Sequence, residues 1–357
     1  MANTAAAAMM LPVALGVLEG IREMRSGAGS GALDLRRYSA MMMLMVAYGS
    51  SVGGIATPIG TPPNLIGIGM IREFTGVKIT FFEWMAFALP ITAAMFIYLF
   101  FMLGRLGSSG RASMPGMSEY IREARGRLGG WKRGEVNTAV AFGTAVILWV
   151  TPSVFTLLLG KDSGAARFLS SRLDEGVVAV FAAFLLFVLP VSLKELRFTM
   201  SWDRAAKIDW GTIILFGGGL SIGKLMFSTG LARAFGSGIT AGLGLDSLWT
   251  ITAAGTIISI MVSETTSNTT SANMVIPVIV AVAQGMGVSP IPPALGACLG
   301  ASFGFMMPVS TPPNAIVYGS GLVPILTMAR KGILFDIGGF FLIMVGLMVL
   351  CPLMGWS

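Results

Sequence analysis

The 357-residue chain has no histidine, two cysteines and only 11% charged residues. Each shortage removes a class of function. Without histidine a Ser-His triad cannot be assembled within the chain. The patterns G-x-S-x-G at Ser51 ("GSSVG", 49–53) and S-x-x-K at Ser221 ("SIGK", 221–224) then read as accidents in a chain with 47 glycines. A Ser-Lys dyad stays open as the enzymatic reading. Cys298 and Cys351 both sit in apolar segments and match no metal-ligand spacing. Soluble domains carry about a quarter charged residues, so 11% excludes an ordinary soluble fold. The opening stretch also lacks the form of a secretory signal, because its first basic residue is Arg22.

What the chain does have is apolar length. Its hydrophobic share is 54% and its mean hydropathy +0.80, which predicts an all-α polytopic membrane protein. Spanning or re-entrant segments are expected at about 2–18, 38–70, 80–103, 136–156, 176–192, 210–223, 247–285, 292–320 and 332–355. Lys and Arg alternate between the connections. Connections 19–37, 104–135, 193–209 and 321–331 together hold most of the 24 basic residues. By the positive-inside rule that side is cytoplasmic, so the net charge of +7 reports topology, not nucleic-acid binding. This parity requires 2–18 to be a cytoplasmic re-entrant element and 247–285 a hairpin entering from outside. It places the C-terminus outside the cytoplasmic (inner) membrane. The stretch "SEYIREARGRL" (118–128) is expected to lie as an amphipathic helix on anionic headgroups.

Two motifs each occur twice. "ANTAAAAMMLPV" (2–13) aligns with "SNTTSANMVIPV" (267–278), and "GIATPIGTPPNLI" (54–66) with "GFMMPVSTPPNAI" (304–316). The order is the same in both halves, and the topology gives the copies opposite entry sides. The expected architecture is therefore an inverted repeat with re-entrant hairpins and broken helices, its site near the midplane. Consecutive prolines (Pro62, Pro63; Pro312, Pro313) remove N–H groups and push the preceding residue out of helix. The carbonyls of Gly60, Thr61, Ser310 and Thr311 should thereby be freed beside a polar cavity, where a dehydrated cation would satisfy them. The Asn-Thr loops offer amides, hydroxyls and positive helix ends suited to a carboxylate. The run Ser263–Ser271 is too dense in polar side chains for simple bonding back to the helix. Within it, Glu264 is either a functional acid or an anchor for the turn. Asp336 is expected at the cytoplasmic interface.

With these motifs and "DWGTIILFGGGLSIG" (209–223), the whole chain resembles the divalent-anion:sodium symporter family of dicarboxylate, citrate and sulfate transporters. The resemblance implies an elevator-type homodimer whose only metal is co-transported Na+, with no cofactor. It divides the chain into 1–103 (first half of the transport domain), 104–246 (amphipathic loop and scaffold helices) and 247–357 (second half). Sodium would meet Asn3, Gly60 and Thr61 at one site, and Ser263, Thr266, Asn268 and Ser310 at the other. A small dianionic substrate would meet Asn3, Thr4, Ser267, Asn268, Thr269, Thr311 and Pro312. Pro62, Pro63, Asn64, Pro313 and Asn314 would shape the broken helices. A related antiporter or oxyanion efflux protein is the alternative, together with a non-functional fragment. The family pattern Ser-Asn-Thr reads Ala2-Asn3-Thr4 here. The resemblance implies N-terminal scaffold helices and a first arm of the inner hairpin ahead of this motif, and the chain is expected to be an N-terminally truncated form without them. An α-ammonium at Met1 would sit beside a cation site at membrane depth, at a cost of several kcal/mol. Residue 1 is therefore expected not to be the working N-terminus.

Overall fold

A computed structural model describes residues 3–27, 35–104, 122, 126, 129–160, 163–208, 210–231 and 247–357. The interfacial helix expected over 118–128 falls largely outside them. Two compact units emerge. One comprises residues 1–79, 85–117 and 211–357, the other 80–84 and 118–210.

The smaller unit holds α5 (Arg133–Leu159), α6 (Gly164–Arg172), α7 (Glu175–Val188), a short hairpin of β1 (Pro190–Ser192) and β2 (Arg197–Phe198), and α8 (Trp202–Ala205). Ser163 caps α6 by accepting from Ala166 N at 3.2 Å, and Asp174 caps α7 by accepting from Gly176 N at 3.0 Å. Trp149 donates to the Glu175 carbonyl at 3.0 Å and stacks on Phe81, which fixes α5 against the start of α7.

The larger unit carries both repeated motifs. Its helices are α1 (Asn3–Gly27), α2 (Leu35–Ile55), α3 (Pro62–Thr75), α4 (Phe81–Leu99, continued by a π turn to Gly104), α9 (Trp210–Ser228), α10 (Leu248–Thr265), α11 (Asn268–Gly285), α12 (Ile291–Ala301), α13 (Pro312–Gly319) and α14 (Ile325–Leu353). α4 and α9 each begin in the smaller unit. Among the described residues, six helices are long and apolar enough to cross a bilayer. The expected segments 38–70, 247–285 and 292–320 each divide into two helices, at the positions where prolines or polar runs stand. α1 runs to Gly27, well past the expected end at residue 18.

α12 is buried along its whole length and forms the centre of this unit, packed on α3, α10, α11 and α14. Its small residues permit that approach. A Cβ on Gly300 would lie 2.7 Å from the Thr256 carbonyl oxygen, and one on Gly296 would strike the Thr256 hydroxyl. Serines of α10 stitch the contact. Ser259 Oγ donates to Ala297 O at 2.6 Å, and Ser263 Oγ to Ala301 O at 2.8 Å. Small residues with interhelical hydrogen bonds are how helices associate where lipid supplies no hydrophobic drive. α14 approaches as closely. A Cβ on Gly332 would sit 2.5 Å from Met306 N, so glycine there lets the helix lie on the linker after α12.

Candidate functional site

Each Thr-Pro-Pro-Asn motif builds the same break. Thr61 (φ −145°, ψ 145°) and Thr311 (φ −141°, ψ 146°) are extended and precede helices that open with two prolines. Proline at the first helical positions removes N–H groups that would have no partner anyway. The asparagine then reaches back into its own linker. Asn64 Nδ2 donates to Gly54 O at 2.9 Å and Thr57 O at 2.8 Å. Asn314 Nδ2 donates to Gly304 O at 2.8 Å and Met307 O at 2.9 Å. The offsets of ten and seven residues are identical, so the sequence repeat is also a repeat of geometry. Both asparagines are fully buried, and each serves as an internal clamp that shapes its loop.

The helices that begin with the Asn-Thr motifs pack on the proline-motif helices in a reciprocal way. α1, which begins with Asn3-Thr4, packs on α13, the helix of the second proline motif. α11, which begins with Asn268-Thr269, packs on α3, the helix of the first. Asn3 is half-buried. With its amide turned so that nitrogen faces the carbonyls, it lies 3.2 Å from Gly60 O and 3.1 Å from Ser50 O. A Cβ on Gly54 would strike this side chain, and one on Gly60 would strike the Gly54 carbonyl. The two glycines are what let Asn3 into the first break.

In the second half, α10 and α11 form a hairpin with Thr266 and Ser267 at its tip. Ser267 accepts from Thr270 N at 3.2 Å as the cap of α11. Ser263 Oγ donates to Asn268 Oδ1 at 2.8 Å. A Cβ on Gly304 would lie 3.0 Å from Ser310 Cβ, 3.1 Å from Thr311 Cγ2 and 3.2 Å from Asn268 Oδ1. Ser263, Asn268, Gly304, Ser310 and Thr311 are therefore gathered at one place. Thr266 turns its hydroxyl back to Val262 O at 2.7 Å. Ser267, Pro312, Thr4 and Pro62 are exposed, Thr269 is half-buried, and Thr61, Pro63 and Pro313 are buried.

Glu264 joins the hairpin to the break. Its Oε1 accepts from Phe305 N at 2.6 Å and Met306 N at 2.9 Å. Its Oε2 accepts from Ser310 Oγ at 3.0 Å, and its own carbonyl accepts from the same hydroxyl at 2.9 Å. The carboxylate thus holds the linker backbone against the hairpin tip. Behind it stand Tyr48, Phe303, Phe305 and Phe335, with Tyr48 donating to Phe305 O at 2.9 Å and Met328 O at 3.2 Å.

Asp336, expected at the cytoplasmic interface, is enclosed by protein: it is 5% exposed, beside the Glu264 carboxyl, and neither of its oxygens meets a donor among the described residues. α14 begins at Ile325, seven residues before the expected start, so Asp336 lies about 17 Å along the helix at 1.5 Å per residue. A carboxyl without a donor beside another acid is a costly arrangement, and a donor placed between them would relieve it. Asp336→Asn supplies that donor from an amide, so it should shift stability by less than about 1 kcal/mol in a thermal unfolding measurement. A loss above about 2 kcal/mol would contradict this account.

The Ser-Lys pattern does not form a dyad. Ser221 Oγ donates to Gly217 O at 2.8 Å, while Lys224 pairs with Glu73 at 2.7 Å. Ser51 is buried mid-helix in α2.

The motifs thus gather amides, hydroxyls and carbonyls, with no Lys or Arg among them. Hard oxygen donors of this kind suit an alkali cation, and helix ends suit an anion. The family model for the sodium:sulfate symporter transmembrane region matches residues 1–356. The chain belongs to the sodium:sulfate symporter family. It is similar to the sodium-dependent dicarboxylate transporter SdcS of Staphylococcus saprophyticus, at 30% identity over 332 residues. It is equally similar to SdcS of Staphylococcus aureus strain USA300, at 30% over 335 residues. Both matches take in 92% of this chain and 62% of the relative, so the chain spans under two thirds of these relatives' length.

Proposed function

We propose that this chain carries the transport core of a sodium-coupled symporter for a small divalent anion across the cytoplasmic membrane. A C4-dicarboxylate such as succinate is the first substrate to test, in keeping with the names of the relatives, followed by citrate and sulfate. The observation that carries the reading is the reciprocal packing of the repeated helices, α1 on α13 and α11 on α3, while Asn3 and Asn268 each reach the break of their own half. That exchange is what an inverted repeat requires, and it supports one cation site at each break with a dianion held between them.

In this reading the first sodium site uses Asn3, Gly60 and Thr61, and the second uses Ser263, Thr266, Asn268 and Ser310. Substrate carboxylates meet Asn3, Thr4, Ser267, Asn268, Thr269, Thr311 and Pro312. Because the motifs carry no cationic side chain, the charge of the dianion is balanced by the co-transported sodium and the helix ends. Segments 1–103 and 247–357 form the moving domain of an elevator-type homodimer, with scaffold helices drawn from 104–246 and the C-terminus outside.

Uptake of labelled succinate, citrate and sulfate by the full-length protein in proteoliposomes tests this. Sodium is expected to raise uptake of at least one of them by more than about tenfold over choline. Equal uptake in choline or lithium buffer sinks the coupling.

A further inference from the structure

A cavity of about 390 Å³ opens where α1, α2 and the connection from α13 to α14 meet, lined by Arg22, Arg36, Ser39, Gly321 and Leu322 among others. Its chemistry differs from that of the repeated motifs, which contain no basic side chain. Arg36 stands in the first turn of α2, where backbone N–H groups lack helical partners and the helix dipole is positive. Ser39 follows three residues later on the same face. Arg22 comes from the facing helix α1. Gly321, with φ of +73°, turns the chain sharply at the rim.

A second observation points to a ligand. Ser39 is 2% exposed, yet its Oγ has no hydrogen-bond partner among the described residues. A buried hydroxyl left without a partner is costly, and this one borders the cavity. Among the described residues, neither Arg22 nor Arg36 pairs with a carboxylate. Two guanidiniums, a helix N-terminus and an unsatisfied buried hydroxyl converge on a space large enough for a small ligand.

We propose that this cavity is a second anion site, separate from the repeated motifs, that takes a group bearing carboxylate or phosphate. Two sources share that chemistry: a small dianion in solution, and the phosphate of an anionic lipid headgroup. The arginines hold the charge, and Ser39 donates to one of its oxygens. Binding here needs no sodium, because the site supplies its own positive charge.

The test uses the full-length protein in nanodiscs, titrated calorimetrically with succinate and with inorganic phosphate in choline buffer. One arm uses phosphatidylcholine alone, the other adds phosphatidylglycerol. A soluble anion site gives sodium-free binding of succinate or phosphate in the first arm. A lipid site instead gives phosphatidylglycerol retained on the detergent-extracted protein by native mass spectrometry. In either case Arg22→Gln with Arg36→Gln should weaken the interaction by more than about tenfold, and Ser39→Ala by about fivefold. Absence of both signals in the native protein, or signals unchanged in the arginine variant, overturns the site. Should the arginine variant fail to fold, Ser39→Ala decides alone, since it leaves every charge in place. Sodium-dependent binding or uptake is a separate readout, so failure of this site leaves the coupling test intact, and the reverse.

Discussion

Glu264→Ala is expected to abolish sodium-dependent uptake and to destabilise the fold by about 3–6 kcal/mol. The truncation strips the acceptor from two linker amides, Phe305 N and Met306 N, and from the Ser310 hydroxyl. Phe305 is fully buried, so water cannot replace the lost partner, and bonds to a charged acceptor are worth more than neutral ones. The linker that presents Gly304 and Ser310 to Asn268 then loses its tie to the hairpin. Glu264→Gln should fall between Ala and the native protein, since its one carbonyl oxygen can keep the two amides while its NH2 faces Ser310. Thermal unfolding followed by tryptophan fluorescence, paired with uptake, reads both effects. Native-like melting in Glu264→Ala would show that the linker holds its shape without the carboxylate.

The second large effect concerns the paired clamps. Asn64→Ala and Asn314→Ala each remove one amide that serves two backbone carbonyls, Gly54 and Thr57 in one case and Gly304 and Met307 in the other. About 2–4 kcal/mol is expected for each. Aspartate should be worse than alanine although it matches asparagine in shape. It offers no donor and brings negative charge against carbonyl oxygens in a dry site. This inversion separates a donor's role from a packing role. The two halves should respond alike, because each asparagine amide serves the carbonyls ten and seven residues before it. If Asn314→Asp melts like the native protein, or if one half tolerates alanine and the other does not, the clamp account fails.

Much of this was legible in the sequence because its causes are local. Consecutive prolines end a helix wherever they fall, and the breaks before Pro62 and Pro312 stand where the spacing put them. The hairpin turn at Thr266-Ser267 likewise follows from a run of side chains that prefer to cap. The partners of the freed carbonyls were harder to read. The pattern suggested bare oxygens before the prolines, but Thr61 O accepts from Asn64 N at 3.2 Å and Thr311 O from Ala315 N at 3.1 Å, as the helices after the breaks begin. The Asn64 and Asn314 side chains occupy carbonyls earlier in the same linkers. That bond spans ten residues of irregular backbone, and no periodicity encodes it. The burial of Asp336 was hidden for a different reason: it is covered by packing from outside α14, beside Glu264 of α10, which no local pattern encodes. Glu264 showed its chemistry in the sequence but not its partners, since Phe305 and Met306 are some forty residues away.

The serine seam between α10 and α12 bears on how the protein enters the membrane. α10 only reaches a mean hydropathy of 1.2 over its best window, against 2.5 for α14. It carries Thr252, Thr256, Ser259, Ser263 and Glu264 on its buried side. The acceptors for Ser259 and Ser263, Ala297 O and Ala301 O, belong to a helix synthesised later. A lone α10 in lipid would have to hide those hydroxyls and a carboxyl without them. Its insertion is therefore tied to the emergence of α12 and the linker beyond. Nascent chains stalled when only residues up to 285 have left the ribosomal tunnel should hold the hairpin at the translocon, and only chains exposed past the second break should release it into the bilayer.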